Sequence, residues 1–395
     1  MLISGIICEY NPIHFGHIRH ISETKRALGE DCGIVCVMSG NFVQRGDIAI
    51  FEKYARAAAA VLSGADLVLE LPSIYALSSA ERFAMGGVGL LESAGVVDYI
   101  SFGSESGDIG ALSAAADTVS SEAVSAAIGE ELKKGLSYAE ARQNAAFKAM
   151  GGAALILGEP NNILAVEYLK ALKALNSDIK PITVKRLGAG HDSEEGASAA
   201  AVRRIFKSGG EPWEHIPDKA ALVFKREMTL GRGPVFLEEL ETAVLSRLRM
   251  LPGDAFKNIP DSAEGLENRL ERYSRSEPGI AEILEKTKTK RYAMSRIRRM
   301  LLCAALGISS ADTQLPPQYI KVMAMNGRGR EIMRLISKKT ELPCISKPAA
   351  AKKLEGKAGE CFFNEAAHTD LYTLAFKSAE SRRGGAEWKS SPTLI

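Results

Sequence analysis

Short apolar runs alternate with amphipathic stretches over residues 1–210, a pattern that predicts a parallel α/β sheet. Strands are expected at 2–8, 33–38, 66–70, 97–102 and 181–185. Helices are expected at 16–28, 52–63, 78–93, along an alanine-rich region at 107–150, and at 163–175. Most of the strand runs are continuously apolar, as strands covered on both faces by helices are. Past Gly209 the pattern changes. Residues 236–251, 262–272, 278–285 and 291–306 read as helices with no strong strand between them, followed by a small β-turn-α unit at 319–325 and 327–337. The fold class is therefore α/β over 1–210, then a mainly helical region over 211–377. The tail at 378–395 is rich in Arg, Gly and Ser and is expected to fray.

The 395 residues carry 50 basic and 48 acidic side chains, a formal net charge of +2. The chain is thus no polycation, and any nucleic-acid contact must come from a local patch. The N-terminus lacks a basic n-region, and no run approaches the ~18 apolar residues of a spanning helix. No membrane contact and no obligate protein partner are expected. Six scattered cysteines without a CxxC pair fit reduced thiols and a cytoplasmic location.

Chemistry concentrates where the first strand ends. Cys8 leads into a loop, Glu9-Tyr10-Asn11-Pro12, and His14 and His17 then fall in the opening turn of the next helix. At i, i+3 they share a face at the carboxyl end of the strand, where open α/β sheets bind ligands. The helix N-terminus offers N–H groups to phosphate, and two imidazole donors there can follow charge building on an α-phosphate and a departing pyrophosphate. Gly16 leaves room for a nucleotide against the backbone. Two other readings stay open from these residues alone: a pair of surface histidines, or a zinc site using His14, His17 and His20.

Asn-Pro-x-His-x-Gly-His after an N-terminal strand resembles the signature of the nucleotidyltransferase superfamily. The resemblance implies a Rossmann-like parallel-sheet domain and ATP held by the Asn11–His17 segment. That superfamily has a second signature, a hydroxyl-bearing turn opening a helix with an arginine. Ala197-Ser198-Ala199-Ala200-Ala201-Val202-Arg203-Arg204 stands in its place, with alanine where a second hydroxyl is often found. Ser198 and Arg203 carry over, so His14, His17, Ser198 and Arg203 form the implied catalytic set.

Further segments narrow the resemblance: Ser39-Gly40-Asn41-Phe42-Val43-Gln44-Arg45-Gly46-Asp47, Gly64-Ala65-Asp66, Ser101-Phe102-Gly103-Ser104-Glu105, Pro160-Asn161-Asn162 and Lys185-Arg186. Together they resemble the bacterial tRNA(Met) cytidine acetate ligases over most of the chain. Members of that family join acetate to the N4 of the wobble cytidine of elongator tRNA(Met), consuming ATP. The resemblance implies ATP contacts by Ile7, Cys8, Glu9, Tyr10, Asn11, Pro12, Ile13, His14, Phe15, Gly16, His17, Ile18, Arg19 and His20. It adds Gly103, Asn162 and Arg186. Read by themselves, Gly103 is equally a turn glycine, one of Asn161 and Asn162 a helix cap, and Arg186 a surface side chain.

Residues 286–299 hold seven basic side chains and no acid. Lys288, Lys290, Arg291, Arg296 and Arg299 are the expected RNA contacts. Tyr292, Arg296 and Arg299 are placed on the outer face of a helix whose inner face is Met294, Ile297, Met300 and Leu301; a solvated charged face is the alternative. The implied chemistry is an acetyl-adenylate formed from acetate and ATP, then attack by the cytidine amine. Magnesium is expected to travel with the triphosphate, although no carboxylate cluster marks a metal site. Two rivals share the first domain: a small-molecule adenylyltransferase of cofactor biosynthesis, and a nucleotide-sensing RNA-binding protein without catalysis.

Overall fold

The computed structural model describes residues 1–186 and 198–395, so Ala197 of the second signature lies outside the described residues. In chain order the strands are β1 Ile3–Cys8, β2 Gly33–Ser39, β3 Phe42–Val43, β4 Asp47–Ile48, β5 Leu67–Leu71, β6 Tyr99–Ser104, β7 Lys180–Lys185, β8 Ile320–Met325, β9 Cys344–Ile345 and β10 Thr393–Leu394. Among the described residues, eight of them form one sheet in the order β10-β8-β5-β2-β1-β6-β7, with β9 beside β8. Strands β3 and β4 make a separate hairpin.

The first-half helices are α1 Phe15–Leu28, α2 Lys53–Leu62, α3 Ser73–Ala76, α4 Ala80–Ala94, α5 Ile109–Ser120, α6 Glu122–Lys133, α7 Tyr138–Met150 and α8 Pro160–Ala174. Beyond the undescribed stretch come α9 Ala199–Lys207, α10 Asp218–Thr229, α11 Glu241–Met250, α12 Leu266–Ser276, α13 Ile280–Thr287 and α14 Met294–Leu306. The last are α15 Gly327–Lys339, α16 Pro348–Ala351 and α17 Gly356–Thr373. The five strands expected in the first half all form, shifted by one or two residues. The alanine-rich region is three helices: Ser121 ends α5 and caps α6, and past a turn at Lys134-Gly135 Ser137 caps α7.

Strands β1, β2, β5, β6 and β7 are parallel, so their carboxyl ends share one edge. Chain order reverses at β1, with β2 and β5 on one side and β6 and β7 on the other. A crevice is expected at such a switch point. Side chains alternate across the sheet. Val35, Val37, Leu67 and Leu69 join the apolar core under α4, α5 and α8, whereas Ile34, Cys36, Met38 and Val68 join the one under α1, α2 and α10. With both faces covered, β2 can be apolar at nearly every position.

Two features differ from the sequence expectation. The second half is mainly helical, yet it supplies β8, which runs antiparallel beside β5 in the central sheet. Its own core, built on Leu248, Leu270, Ile283 and Met300, also takes in Phe42, Ile48 and Leu77 from the first half. The tail, expected to be frayed, is docked instead. Strand β10 pairs with β8, Trp388 packs edge-on to Phe362 at 4.9 Å, and Glu387 is only 2% exposed. Polar composition hides this docking, which rests on one ladder, one ring and one carboxylate.

Candidate active site

The loop after β1 is held from beneath by a buried arginine. Arg56 of α2 donates Nε to Phe51 O at 2.9 Å and Nη2 to Ser39 O at 3.0 Å, and its guanidinium also reaches Glu9 O and Gly40 O. One planar fork thereby ties the carboxyl ends of β1 and β2. Asn11 is buried as well: its Oδ1 accepts from Ile50 N at 2.9 Å, and its carbonyl accepts from Arg203 Nη1 at 2.7 Å. The first and second signatures meet through that last bond.

Helix α1 begins with an unusual cap. His14 is the N-cap residue, with extended backbone (φ −143°, ψ 174°), and His17 stands at N3. His14 Nδ1 accepts from Gly16 N at 3.1 Å, and His17 Nδ1 accepts from His14 N at 3.2 Å. This is a capping box in which both reciprocal side chains are imidazoles. A ring nitrogen that accepts a backbone N–H carries no proton, so a neutral ring must carry its proton on Nε2. Burial, reinforced by Arg186 and Arg203, lowers the His14 pKa to about 4. Burial also holds His17 well below its usual value, with His14 and Arg186 adding to the effect. Both rings are therefore neutral Nε2–H donors near pH 7.

A crevice of about 330 Å³ opens at this point. Ile7, Cys8, Glu9, Tyr10, Asn11, His17 and His20 of the first signature line it, with Gly103, Arg186 and Arg203. His14 is not on the wall. It packs behind His17 with ring centroids 3.9 Å apart, so it orients the donor. Ile13 is fully buried, while Phe15 is exposed. Gly16 and Arg19 border a smaller adjoining recess, and Arg19 donates to Lys185 O at 3.3 Å. Pro12 and Ile18 lie outside both linings. Gly103 is specifically suited to its place: a Cβ there would sit 3.2 Å from Arg186 Cγ, so the glycine lets that side chain lie across the end of β6.

His20 belongs to a closed hydrogen-bond ring. Its Nε2 meets Ser101 Oγ at 2.9 Å, Ser101 meets Thr24 Oγ1 at 2.7 Å, and Thr24 donates to His20 O at 2.8 Å. Since Thr24 spends its proton on the carbonyl, Ser101 donates to Thr24 and His20 donates to Ser101. The zinc alternative is disfavoured at His14 and His17, because Nδ1 of each ring already accepts a backbone N–H and the proton on Nε2 leaves no lone pair for a metal. Among the described residues no group of three or more His, Cys, Asp or Glu side chains could hold a metal ion.

Two expected contacts have other duties. Ser198 is the N-cap of α9 and its Oγ accepts from Ala201 N at 3.3 Å; Ala199, one residue on, borders the crevice. Asn162 is buried with Oδ1 accepting from Ser106 N at 3.1 Å, and its neighbour Asn161 reaches the wall. Neither asparagine caps α8. Glu105 does, accepting from Asn162 N at 2.9 Å and from Asn161 Nδ2 at 2.5 Å. An anion at a helix N-terminus is favourable. Phe83, Leu164 and Tyr168 complete an apolar wall that sequence reasoning missed, since on α4 and α8 they look like any core residue.

The basic stretch is corrected by the structure. Tyr292 and Arg299 do not line an outer face. Arg299 is 8% exposed and pairs with Asp261 at 2.9 Å, and Arg296 donates to Asp261 O at 2.7 Å while lying 5.0 Å over the Tyr292 ring. Arg291 pairs with Glu264 at 2.6 Å, and Lys288 Nζ donates to Thr289 O at 2.6 Å. Their acids come from the 261–264 turn, which is remote in sequence. Ile297, Met300 and Leu301 face inward as expected. Lys290 remains exposed. The start of α14 braces the β3–β4 hairpin: Arg298 reaches Asp47 at 3.5 Å, and a Cβ on Gly46 (φ +74°) would come within 2.5 Å of Arg299 N.

Comparison with known proteins agrees with this geometry. The HIGH Nucleotidyl Transferase family profile matches residues 1–387. A tRNA(Met) cytidine acetate ligase of Caldanaerobacter subterraneus subsp. tengcongensis is 42% identical over 390 residues, 95% of each chain. One of Acetivibrio thermocellus is 36% identical over 424 aligned positions, the whole of both chains. The crystal structure of Thermotoga maritima TmcAL bound with alpha-thio ATP superposes with a TM-score of 0.92 at 34% identity, over 100% of each chain. A HIGH-type signature at the switch point, and full-length likeness in sequence and fold, place this chain in the HIGH nucleotidyl transferase family, among the tRNA(Met) cytidine acetate ligases.

Proposed function

We propose that the chain joins acetate to the N4 of the wobble cytidine of elongator tRNA(Met), using ATP and passing through acetyl-adenylate. The observation that carries this reading is the reciprocal histidine cap, which fixes a neutral Nε2–H donor of His17 on the crevice wall at the N-terminus of α1. An acetate oxygen attacks the α-phosphorus and pyrophosphate leaves. Negative charge then builds where His17, the α1 N-terminus, Arg203 and Arg186 can meet it. Fixed donors need no reorganisation at that moment, so positioning and electrostatics supply most of the acceleration. Magnesium would enter bound to the triphosphate.

The cytidine then enters from the hairpin side of the crevice. Arg45 is exposed on its rim and Arg298 is half-exposed beside Asp47, so these two, with exposed Lys290, are candidates to meet RNA phosphate. Residues 1–210 supply the nucleotide side, and the helices beyond them carry the RNA side. Among the described residues no helix is long and apolar enough to cross a membrane. A tRNA-modifying role places the enzyme in the cytoplasm.

Pyrophosphate exchange into ATP, assayed with a panel of carboxylates with and without tRNA, tests the reading. Exchange should require a carboxylate, prefer acetate, and proceed slowly without tRNA. Stimulation by a phosphorylated coenzyme precursor, with none by acetate, would establish the small-molecule adenylyltransferase instead.

A further inference from the structure

The exocyclic amine of cytidine is conjugated with its ring and does not attack readily without losing a proton. Nothing described so far takes that proton. His14 and His17 have Nδ1 bound to backbone N–H groups, and His20 Nε2 is bound to Ser101. Glu9 is different. It opens the loop after β1 on the crevice wall, and its side chain reaches towards the hairpin. Its Oε1 accepts from Gln44 N at 2.7 Å, which fixes the carboxylate to the hairpin. Among the described residues its Oε2 has no hydrogen-bond partner.

We propose that Glu9 is the general base that takes the N4 proton during acetyl transfer. This rests on the acetate-ligase reading above. The N4 lone pair attacks the carbonyl carbon of acetyl-adenylate, and the new C–N bond forms as the carbonyl pair moves to oxygen. When the pair returns, the C–O bond to phosphate breaks and AMP leaves with its electrons. The N4 proton passes to Glu9 Oε2, and the resulting carboxylic acid later yields it to water.

The surroundings suit a base. Loss of hydration pushes the Glu9 carboxyl up from its ordinary value, opposed by the Gln44 N–H and by Arg203, Arg56 and Arg45. Cys8, Tyr10 and Tyr168 share that wall, and burial pushes all three well up, so none ionises near neutrality; burial holds His17 and His20 low, which makes them weak bases. Glu9 is the carboxylate at that wall, with Oε1 held by Gln44 N–H and Oε2 left to accept a proton.

Glu9→Gln keeps an acceptor for Gln44 N–H and removes the base. Two rates separate the roles: acetate-dependent pyrophosphate exchange, and single-turnover acetyl transfer to tRNA from preformed acetyl-adenylate. Transfer should fall about 10²–10⁴-fold, well beyond any loss in exchange. Wild-type transfer should rise with pH through the Glu9 titration, and the variant should stay low and flat. Glu9→Asp, which retains the charge one methylene further back, should transfer at an intermediate rate and serves as the test if the glutamine variant does not fold. Equal losses of exchange and transfer, or unimpaired transfer, would overturn the proposal. Absence of acetate-dependent exchange in the wild type would instead overturn the reading beneath it.

Discussion

Two imidazoles that serve as helix caps cannot also titrate freely, and this sets the behaviour of the crevice. His17→Ala should slow adenylation by about 10²–10³-fold, as expected for losing a donor to developing charge. ATP affinity should change much less, because the ground state gains little from that donor. Exchange kinetics against ATP concentration separate the two effects. Buried neutral histidines also link stability to pH. His14 and His20 are held at about 4 in the folded chain, against an unfolded value of about 6.5. The unfolded chain therefore binds protons that the folded chain refuses, and stability is lost as pH falls from 6.5 towards 4. Each histidine contributes a slope of up to about 1.4 kcal/mol per pH unit. Urea unfolding across that window should show the decline, and His20→Gln should flatten part of it; a level profile in the wild type would show that these rings titrate normally. The spacing of His14 and His17 was legible in the chain. Their tautomer was not, because it depends on which backbone N–H each ring meets.

At the scale of elements, the basic run at 286–299 shows where sequence reasoning stopped. Periodicity correctly placed Ile297, Met300 and Leu301 inside, but the partners of the cations were set by a turn some thirty residues earlier. Asp261 and Glu264 sit there with positive φ, 64° and 63°. Arg299 is thus an internal clamp between α14 and that turn. Arg299→Ala should cost about 1.5–3 kcal/mol, typical of a hydrogen bond to a charged group. Exposed Lys290→Ala should stay within about 0.5 kcal/mol. Chemical denaturation of the two variants decides the matter, since an arginine serving only RNA would leave stability unchanged. The N-terminus of α8 teaches a similar lesson. Asn161 and Asn162 look like caps, yet Glu105 from the end of β6 satisfies their N–H groups, and only the β6–α8 packing reveals it.

Across the whole molecule, the parallel half of the sheet follows from apolar runs of the right length, whereas β8 and β10 depend on partners far away in the chain. What joins the halves is a buried charge network. Lys53 lies 2.5 Å from Glu70 and 2.6 Å from Glu387, and Lys321 lies 2.8 Å from Glu70 and also pairs with Glu387. The side chains of Lys53, Glu70 and Glu387 are wholly excluded from solvent. Two lysines balance two glutamates, one of them from the tail, and Tyr54 OH donates to Glu387 at 2.8 Å. Glu387→Gln leaves a buried ammonium uncompensated and should cost about 3–5 kcal/mol. Urea unfolding reads this directly, and a loss below about 1 kcal/mol would show the tail to be dispensable. The network lies under the Ser39–Asn41 turn, where Asn41 Oδ1 accepts from Lys53 N at 3.0 Å, so the tail supports the loop that faces the crevice.

The most direct test of the account follows oxygen from acetate. With both acetate oxygens isotopically heavy, and with ATP and elongator tRNA(Met) present, the AMP released should carry one heavy oxygen on its phosphate. The tRNA digest should contain N4-acetylcytidine retaining the other. AMP without label, or ADP in its place, would contradict an acetyl-adenylate formed in this crevice.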